Sequence, residues 1–249
     1  MITYQQFNIN VAHSSWHRCL NDALEKMDPD YLENLYCTTE WLPGHENIFN
    51  AFSIPLNQTQ YILFGESPYP RRASANGYAF WDKAVTNLWS DTGLSKSVNR
   101  ATSLRNIIKM LLIAEGKLNP EDTSQDAIAK LSKENLIKTN EELFQNFLSH
   151  GFLLLNAAPI LRPNQVQKDA RAWHAFIKHI LNFIFETYPQ TQLILLGNIA
   201  NTIEKLISHR EIPRLYAEHP YNISFIHNPK IIQFFQPLHL LRKNIPLAI

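Results

Sequence analysis

Short, unbroken apolar runs alternate along this chain with stretches of helical period. Tyr61-Ile62-Leu63-Phe64-Gly65 is one such run, Phe152 to Ala158 and Gln192 to Gly197 repeat it, and Leu215 to Ala217, leading into His219-Pro220, is a weaker fourth. Continuous apolar runs of this length fit strands covered on both faces, as in a parallel sheet. Between them, Trp173, Phe176, Ile177, Ile180, Leu181, Ile184 and Phe185 recur at helical spacing and predict a helix over residues 171–188 with that stripe as its core face. A second helix is predicted from Ser103 to Ala114, started by Thr102 or Ser103. Residues 14–39 read as two short helices parted at Asp28-Pro29. The polar stretch from Glu115 to Asn140 reads as a surface excursion with one helix around Thr123 to Glu134. The alternation predicts one α/β domain, a three-layer α/β/α arrangement around a central, mostly parallel four-stranded sheet. Ligands of such sheets meet the loops at the carboxyl ends of the strands.

Composition narrows the chemistry. The 249 residues are 45% hydrophobic and 18% charged, enough apolar material for a packed core. No apolar run is long enough to span a bilayer, and Met1 to Asn10 lacks a basic start followed by an apolar segment, so the expectation is a protein that is not secreted and has no membrane partner. Its two cysteines, Cys19 and Cys37, cannot hold a four-cysteine zinc or iron–sulfur site; no metal and no cofactor are expected. A net charge of +1 does not announce a nucleic-acid partner, so any phosphate contact has to come from local clusters. Arg71-Arg72, then Arg100, Arg105 and Lys109, then Lys230, His239, Arg242 and Lys243 are such clusters, and each taken alone reads as a solvated face.

The strand-end loops carry the candidate chemistry. After the first strand come Gly65-Glu66-Ser67-Pro68-Tyr69-Pro70 and Asn76-Gly77-Tyr78-Ala79-Phe80; the second ends at Asn156; the fourth leads to His219-Pro220-Tyr221-Asn222-Ile223-Ser224. In these loops the chain resembles the uracil-DNA glycosylases, most of all family 1. The family's Gly-Gln-Asp-Pro-Tyr-His motif matches residues 65–70 in register, with Glu66, Ser67 and Pro70 replacing Gln, Asp and His. The downstream Gly and Phe fall on Gly77 and Phe80, and Ser-Leu-Arg-Asn appears as Ser103 to Asn106. Leu-Leu-Leu-Asn ends at Asn156, Arg162, Gln165, Arg171, Trp173 and Phe176 fall near family positions, and His-Pro-Ser-Pro-Leu-Ser corresponds to His219 through Ser224. The resemblance runs from about residue 60 onward. It implies a single glycosylase-like domain over residues 1–249, with residues 1–58 as a helical extension packed on it.

The resemblance implies a monofunctional DNA glycosylase of base-excision repair. Such an enzyme flips a base out of the stack, because the bond it hydrolyses is otherwise out of reach. Phe80 would stack on the extruded ring, Asn156 would read uracil O4 and N3–H, and Tyr69 would exclude the thymine methyl group. His219 would donate to the charge developing on O2. Ser103, Arg105, Ser224, Arg71 and Arg72 are the backbone contacts, and Ile223 is the apolar wedge. The implied partner is DNA, single- or double-stranded, bound by a monomer in the cytoplasm, nucleoid-associated, or in a nucleus.

The departure from the family is Ser67. A hydroxyl orients water but does not stabilise a cationic sugar as a carboxylate does, and loss of general-base help costs roughly 10²–10⁴ in rate. Glu66 either takes over the aspartate's role or faces solvent. Related families with Gly-Glu-x-Pro in this loop carry an iron–sulfur cluster, which two cysteines cannot supply. Three readings follow: a uracil glycosylase, a glycosylase for another modified base such as those of phage DNA, or a DNA-binding scaffold with impaired catalysis. A nucleotide-binding Rossmann enzyme is disfavoured, since no Gly-rich phosphate loop follows the first strand.

Overall fold

The computed structural model describes residues 7–207 and 211–243. Residues 1–6, most of the segment read for a leader, lie outside the described part. The fold is α/β, with a four-stranded central sheet flanked by helices, which is the class expected from the sequence. By internal contacts the chain divides into two compact units, Met1–Asp82 with Gly151–Tyr216 and Lys83–His150 with Ala217–Ile249.

The first unit opens with helices α1 (His17–Leu24) and α2 (Pro29–Tyr36). Asp28 caps α2 by accepting from the amides of Asp30 and Tyr31, and Pro29 occupies the first turn, where its missing N–H costs nothing. Strand β1 (Tyr61–Gly65) follows. In the second unit come the short antiparallel pair β2 (Trp89–Ser90) and β3 (Gly93–Leu94), then α3 (Lys96–Arg100), α4 (Thr102–Ala114), α5 (Gln125–Ala129) and α6 (Asn140–Ser149). The chain then returns to the first unit with β4 (Phe152–Asn156), α7 (Val166–Ala172), α8 (His174–Thr187), β5 (Gln192–Leu196), α9 (Ile199–Glu204) and β6 (Arg214–Ala217). Helix α10 (Pro229–Phe235) completes the second unit.

The strand order is β4-β1-β5-β6. Central β1 pairs in parallel with β4 and with β5, so that Gly65 lies opposite Asn156 and Phe64 opposite both Leu155 and Leu195. The apolar face of α8 (Phe176, Ile177, Ile180, Leu181, Ile184) is buried, and α1 packs against it with Cys19, Leu20, Ala23 and Leu24. Burial, and then the nearby Asp22 carboxylate, push the Cys19 thiol up to about 12, which leaves it an inert core residue.

The structure corrects several boundaries. The helix expected over residues 171–188 is two helices that meet at Trp173, a fully buried side chain. The first of the two helices carries a buried charge. Asp169 on α7 accepts two bonds from Arg162 Nε (3.0 and 3.2 Å), one from Arg162 Nη2, and one from Tyr31 Oη (2.9 Å). Arg162 Nη1 also reaches Asn34 Oδ1 at 3.3 Å, so this pair ties α2 and α7 together. Neither Thr102 nor Ser103 caps α4; Ala101 stands at its N-cap with no side-chain bond. The helix expected around residues 123–134 shortens to α5, capped by Ser124. Helix α6 was legible in the capping box that Thr139 and Glu142 form in the fold. No described helix is long and apolar enough to cross a membrane.

Breaking the buried pair from one side should leave a desolvated charge. Arg162→Met is expected to destabilise the protein by about 3 kcal/mol in urea unfolding. The double variant Arg162→Met/Asp169→Leu should lose less than the single one. Equal losses would show that the ion pair does not act as a unit.

Candidate active site

In the first unit the β1–β4 register sets one end of the candidate site. Asn156 is 2% exposed, and its Nδ2 has no hydrogen-bond partner among the described residues. An unpaired buried amide donor costs about 1–3 kcal/mol, so a fold that keeps one requires an explanation. Its neighbour across the sheet has to be glycine. A Cβ on Gly65 would stand 2.6 Å from Asn156 Oδ1 and 2.9 Å from Ala79 Cβ.

The loop from residue 66 to 82 folds back over this point. The amides of Ala157 and Ala158 donate to the carbonyls of Gly65 and Glu66, and the Ala79 amide donates to Leu154 O at 3.0 Å. Phe80 then adopts a left-handed backbone, φ +64. That conformation costs a bulky residue on the order of 1–2 kcal/mol and persists only where the surroundings enforce it. Here the Tyr69 hydroxyl donates to Phe80 O at 3.1 Å. Burial, and then the Asp82 carboxylate, raise the Tyr69 phenol well above its ordinary range, so it stays a neutral donor. Asp82, 2% exposed, pairs with Arg71 Nη2 at 3.1 Å and closes the loop between residues 71 and 82.

The N-terminal segment braces the same loop. Asn50 Nδ2 donates to Asn76 O at 2.9 Å, Tyr78 Oη donates to Ser53 Oγ at 3.0 Å, and a Cβ on Gly77 (φ +89) would fall 1.9 Å from Asn47 O. Among the sequence-predicted residues, the structure bonds Tyr69 to Phe80 and ties Arg71 to Asp82 in the loop that Ala79 fastens to β4, the strand that ends at Asn156. Ser67 is half-buried, while Glu66 and Arg72 are exposed.

The second unit holds the other candidates. The His219 Nδ1 atom accepts from the Tyr221 amide at 3.1 Å, so the neutral imidazole carries its proton on Nε2. Asn106 on α4 donates from Nδ2 to Pro220 O at 2.7 Å and to Tyr221 O at 3.4 Å. Partial burial works against a charge on Glu218, but bonds from its own backbone, Asn228 and Ser224 outweigh it and hold the carboxyl below its usual range. The loop is thus fixed from several sides, while residues 221–224 stand exposed, Ile223 and Ser224 among them. Half-buried Ser103 is the second residue of α4, and Arg105 braces the α3–α4 corner, donating from Nη1 to Asn99 O at 3.0 Å. Asp82, Asn106 and Glu218 were missed in the sequence. The available signal was weak: a carboxylate two residues past Phe80, an Asn inside a matched motif and an acid beside His219.

No protein-family profile matches the chain. It is similar to the wild-type UNG of Nitratifractor salsuginis, whose crystal structure superposes with a TM-score of 0.91 at 43% identity over 96% of each chain. It is also similar to the uracil-DNA glycosylase of Fusobacterium nucleatum, at 24% identity over 222 residues, 87% of this chain and 84% of the relative. The crystal structure of mimivirus uracil-DNA glycosylase shares the fold, with a TM-score of 0.59 at 16% identity over 86% of this chain and 72% of that one.

Two outcomes test this geometry. Gly65→Ala should force the Asn156 amide to move, which a crystal structure of the variant will reveal; an unmoved amide would refute the close approach. Glu218, whose folded pKa is depressed, contributes stability above the ordinary glutamate range and loses it as pH falls through the folded value. Glu218→Gln should therefore lower Tm by about 1–2 °C at neutral pH. The gap from the parent should close below the ordinary glutamate pKa of about 4. A gap that persists in acid would rule out the carboxylate as its source.

Proposed function

This chain belongs to the uracil-DNA glycosylase family, and we propose that it hydrolyses the N-glycosidic bond of uracil in DNA and leaves an abasic site. The observation that carries the reading is the unpaired Asn156 Nδ2, buried at the end of β4. One carboxamide offers a donor for uracil O4 and an acceptor for N3–H. Cytosine presents the opposite polarity at both positions, so it would leave polar groups unpaired and be rejected. The cost of the orphan donor in the free protein then becomes selectivity when the base arrives.

Phe80 supplies the stacking face, and its strained backbone is consistent with a position that the site, rather than the chain, dictates. Tyr69, held by its bond to Phe80 O, is the residue proposed to exclude the thymine methyl group. His219, with its proton on Nε2, is suited to donate to the charge that develops on O2 as the bond breaks. The Ser67 hydroxyl orients the attacking water. Glu66, being exposed, is the alternative carboxylate at the same turn. Ser103, Ser224 and Arg72 are the proposed phosphate contacts, with Arg71 and Arg105 committed first to Asp82 and Asn99. Ile223 is the wedge that fills the vacated place in the stack. No lysine occupies a motif position, so the protein acts as a monofunctional glycosylase, without strand cleavage. We propose that it works as a monomer inside the cell.

Incubation with oligonucleotides carrying one uracil, followed by alkaline cleavage of abasic sites, tests this. The parent protein should yield product, and His219→Ala should reduce the rate by on the order of 10²–10³. Ser67→Asp should raise it, by up to about the 10²–10⁴ that a general base contributes. DNA binding without any product would overturn the enzymatic reading in favour of a scaffold.

A further inference from the structure

Lys168 and Arg171 line one cleft of the first unit, and the fold removes from the surface the acid that stands between them. In the sequence, Lys168-Asp169-Ala170-Arg171 mixes signs and announces nothing. In the structure Asp169 is 0% exposed and its charge is spent on Arg162, with a further bond from Tyr31, while Lys168 and Arg171 stay exposed. Three positions apart on α7, the two cations are neighbours on its surface and repel one another. An anion bound beside both relieves that repulsion.

The cleft measures about 570 Å³, and its polar walls are Asn164, Gln165, Gln167, Lys168 and Arg171, with no acid among the residues that line it. None of these five side chains makes a hydrogen bond or an ion pair with a described residue. Arg71, Arg105 and Arg214, by contrast, are engaged by Asp82, Asn99 and Glu204. Uncommitted cations beside neutral amides are the groups that contact a nucleic-acid backbone. A second cleft, of about 590 Å³, shares Pro163, Asn164 and Gln165 with the first and is lined also by Thr39 and Glu40. Arg72, in the loop that carries Tyr69 and Phe80, reaches Thr39 O at 3.5 Å. The two clefts therefore lead from that loop to α7. Charge decides between them: Glu40 opposes an anion in the second, where Arg162 is already committed, and Lys168 and Arg171 attract one in the first.

We propose that the cleft over residues 163–171 is a backbone-phosphate site that holds DNA away from the base to be excised, with Lys168 and Arg171 as its charges. The inference rests on the reading of this protein as one that acts on DNA. A strand reaches the cleft only by extending past the extruded nucleotide and past the second cleft. Such a contact adds affinity without reading sequence and touches none of the groups that break the bond. Its contribution therefore falls on KM rather than on kcat.

Fluorescence anisotropy across a salt series, with a labelled single-stranded oligonucleotide carrying one abasic site, tests the cleft directly. Lys168→Ala and Arg171→Ala should each flatten the dependence of log Kd on log salt by about 0.7, the value for one phosphate on a single strand. Lys168→Arg and Arg171→Lys should keep the parent slope, as should Lys26→Ala, which removes an exposed cation outside the cleft. In excision assays the loss in both alanine variants should fall on KM, and it should shrink when the uracil nucleotide has only one neighbour on each side. An unchanged slope in Lys168→Ala/Arg171→Ala, an equal flattening by Lys26→Ala, or a KM change independent of substrate length would overturn the proposal. If the parent binds DNA but excises no uracil, the glycosylase reading falls, and the salt slopes still decide the role of the cleft.

Discussion

The parallel register of β1 against β4 is the constraint from which the candidate site follows. Because Gly65 lies opposite Asn156, the carboxamide ends up beside a residue without a side chain, and only there does it have room. A slip of one residue would turn every side chain of β4 to the other face. The strand is buried along its whole length, so its apolar residues enforce the register and carry the polar one with them. Asn156 is thus kept unpaired by the packing of Phe152 to Leu155 rather than by any bond of its own. The core holds that donor in a place where no described residue satisfies it.

The same logic extends outward. The Ala79 amide takes a carbonyl from β4, Tyr69 takes the carbonyl of Phe80, and Arg71 reaches Asp82, so the loop of residues 66–82 is closed by three bonds from three kinds of donor. Together they hold Phe80 in a backbone region that the isolated chain would avoid. The N-terminal segment adds Asn50 and Ser53 to the outside of the loop. Its role in this unit is therefore bracing the loop of residues 66–82 as well as covering α8.

Much of this was legible in the chain. The apolar runs located β1, β4, β5 and β6, and the motif residues Tyr69, Phe80, Asn156 and His219 stand at strand ends or in the loops after them, as expected. What escaped had a common cause: it depends on partners distant in sequence. The apolar stripe runs through the division at Trp173 without a sign, and the buried Asp169 just before it is paired with Arg162 and with Tyr31, over a hundred residues away. Hydroxyls at residues 102 and 103 suggested a start for α4, and the helix does begin at Thr102, but its N-cap is Ala101, which has no side chain to cap it. The left-handed Phe80 has no local signature either, since glycine or asparagine is what such a conformation normally selects. Asp82 and Asn106 act through bonds to Arg71 and to the carbonyls of Pro220 and Tyr221, none of which periodicity can reveal.

Ser67 shifts where, under the proposed reaction, charge has to be stabilised. Breaking the glycosidic bond separates a cationic sugar from an anionic base, and an enzyme can favour either partner. The Ser67 hydroxyl is neutral, so under that proposal it supplies no negative charge for the sugar. Asp82 is no substitute, because it is paired with Arg71 beside the Tyr69 phenol, and Glu66 stands exposed, where water screens it. Under the proposed reaction the donors available to the leaving group are neutral: the buried Asn156 amide of the first unit and, in the second, the His219 ring, whose neutral form carries its proton on Nε2. Neutral donors aimed at a developing anion need no reorganisation when the charge appears. Under the proposed reaction, departure of a stable base anion therefore leads and water follows, and uracil is the pyrimidine whose O4 and N3–H match the donor and acceptor of the Asn156 carboxamide.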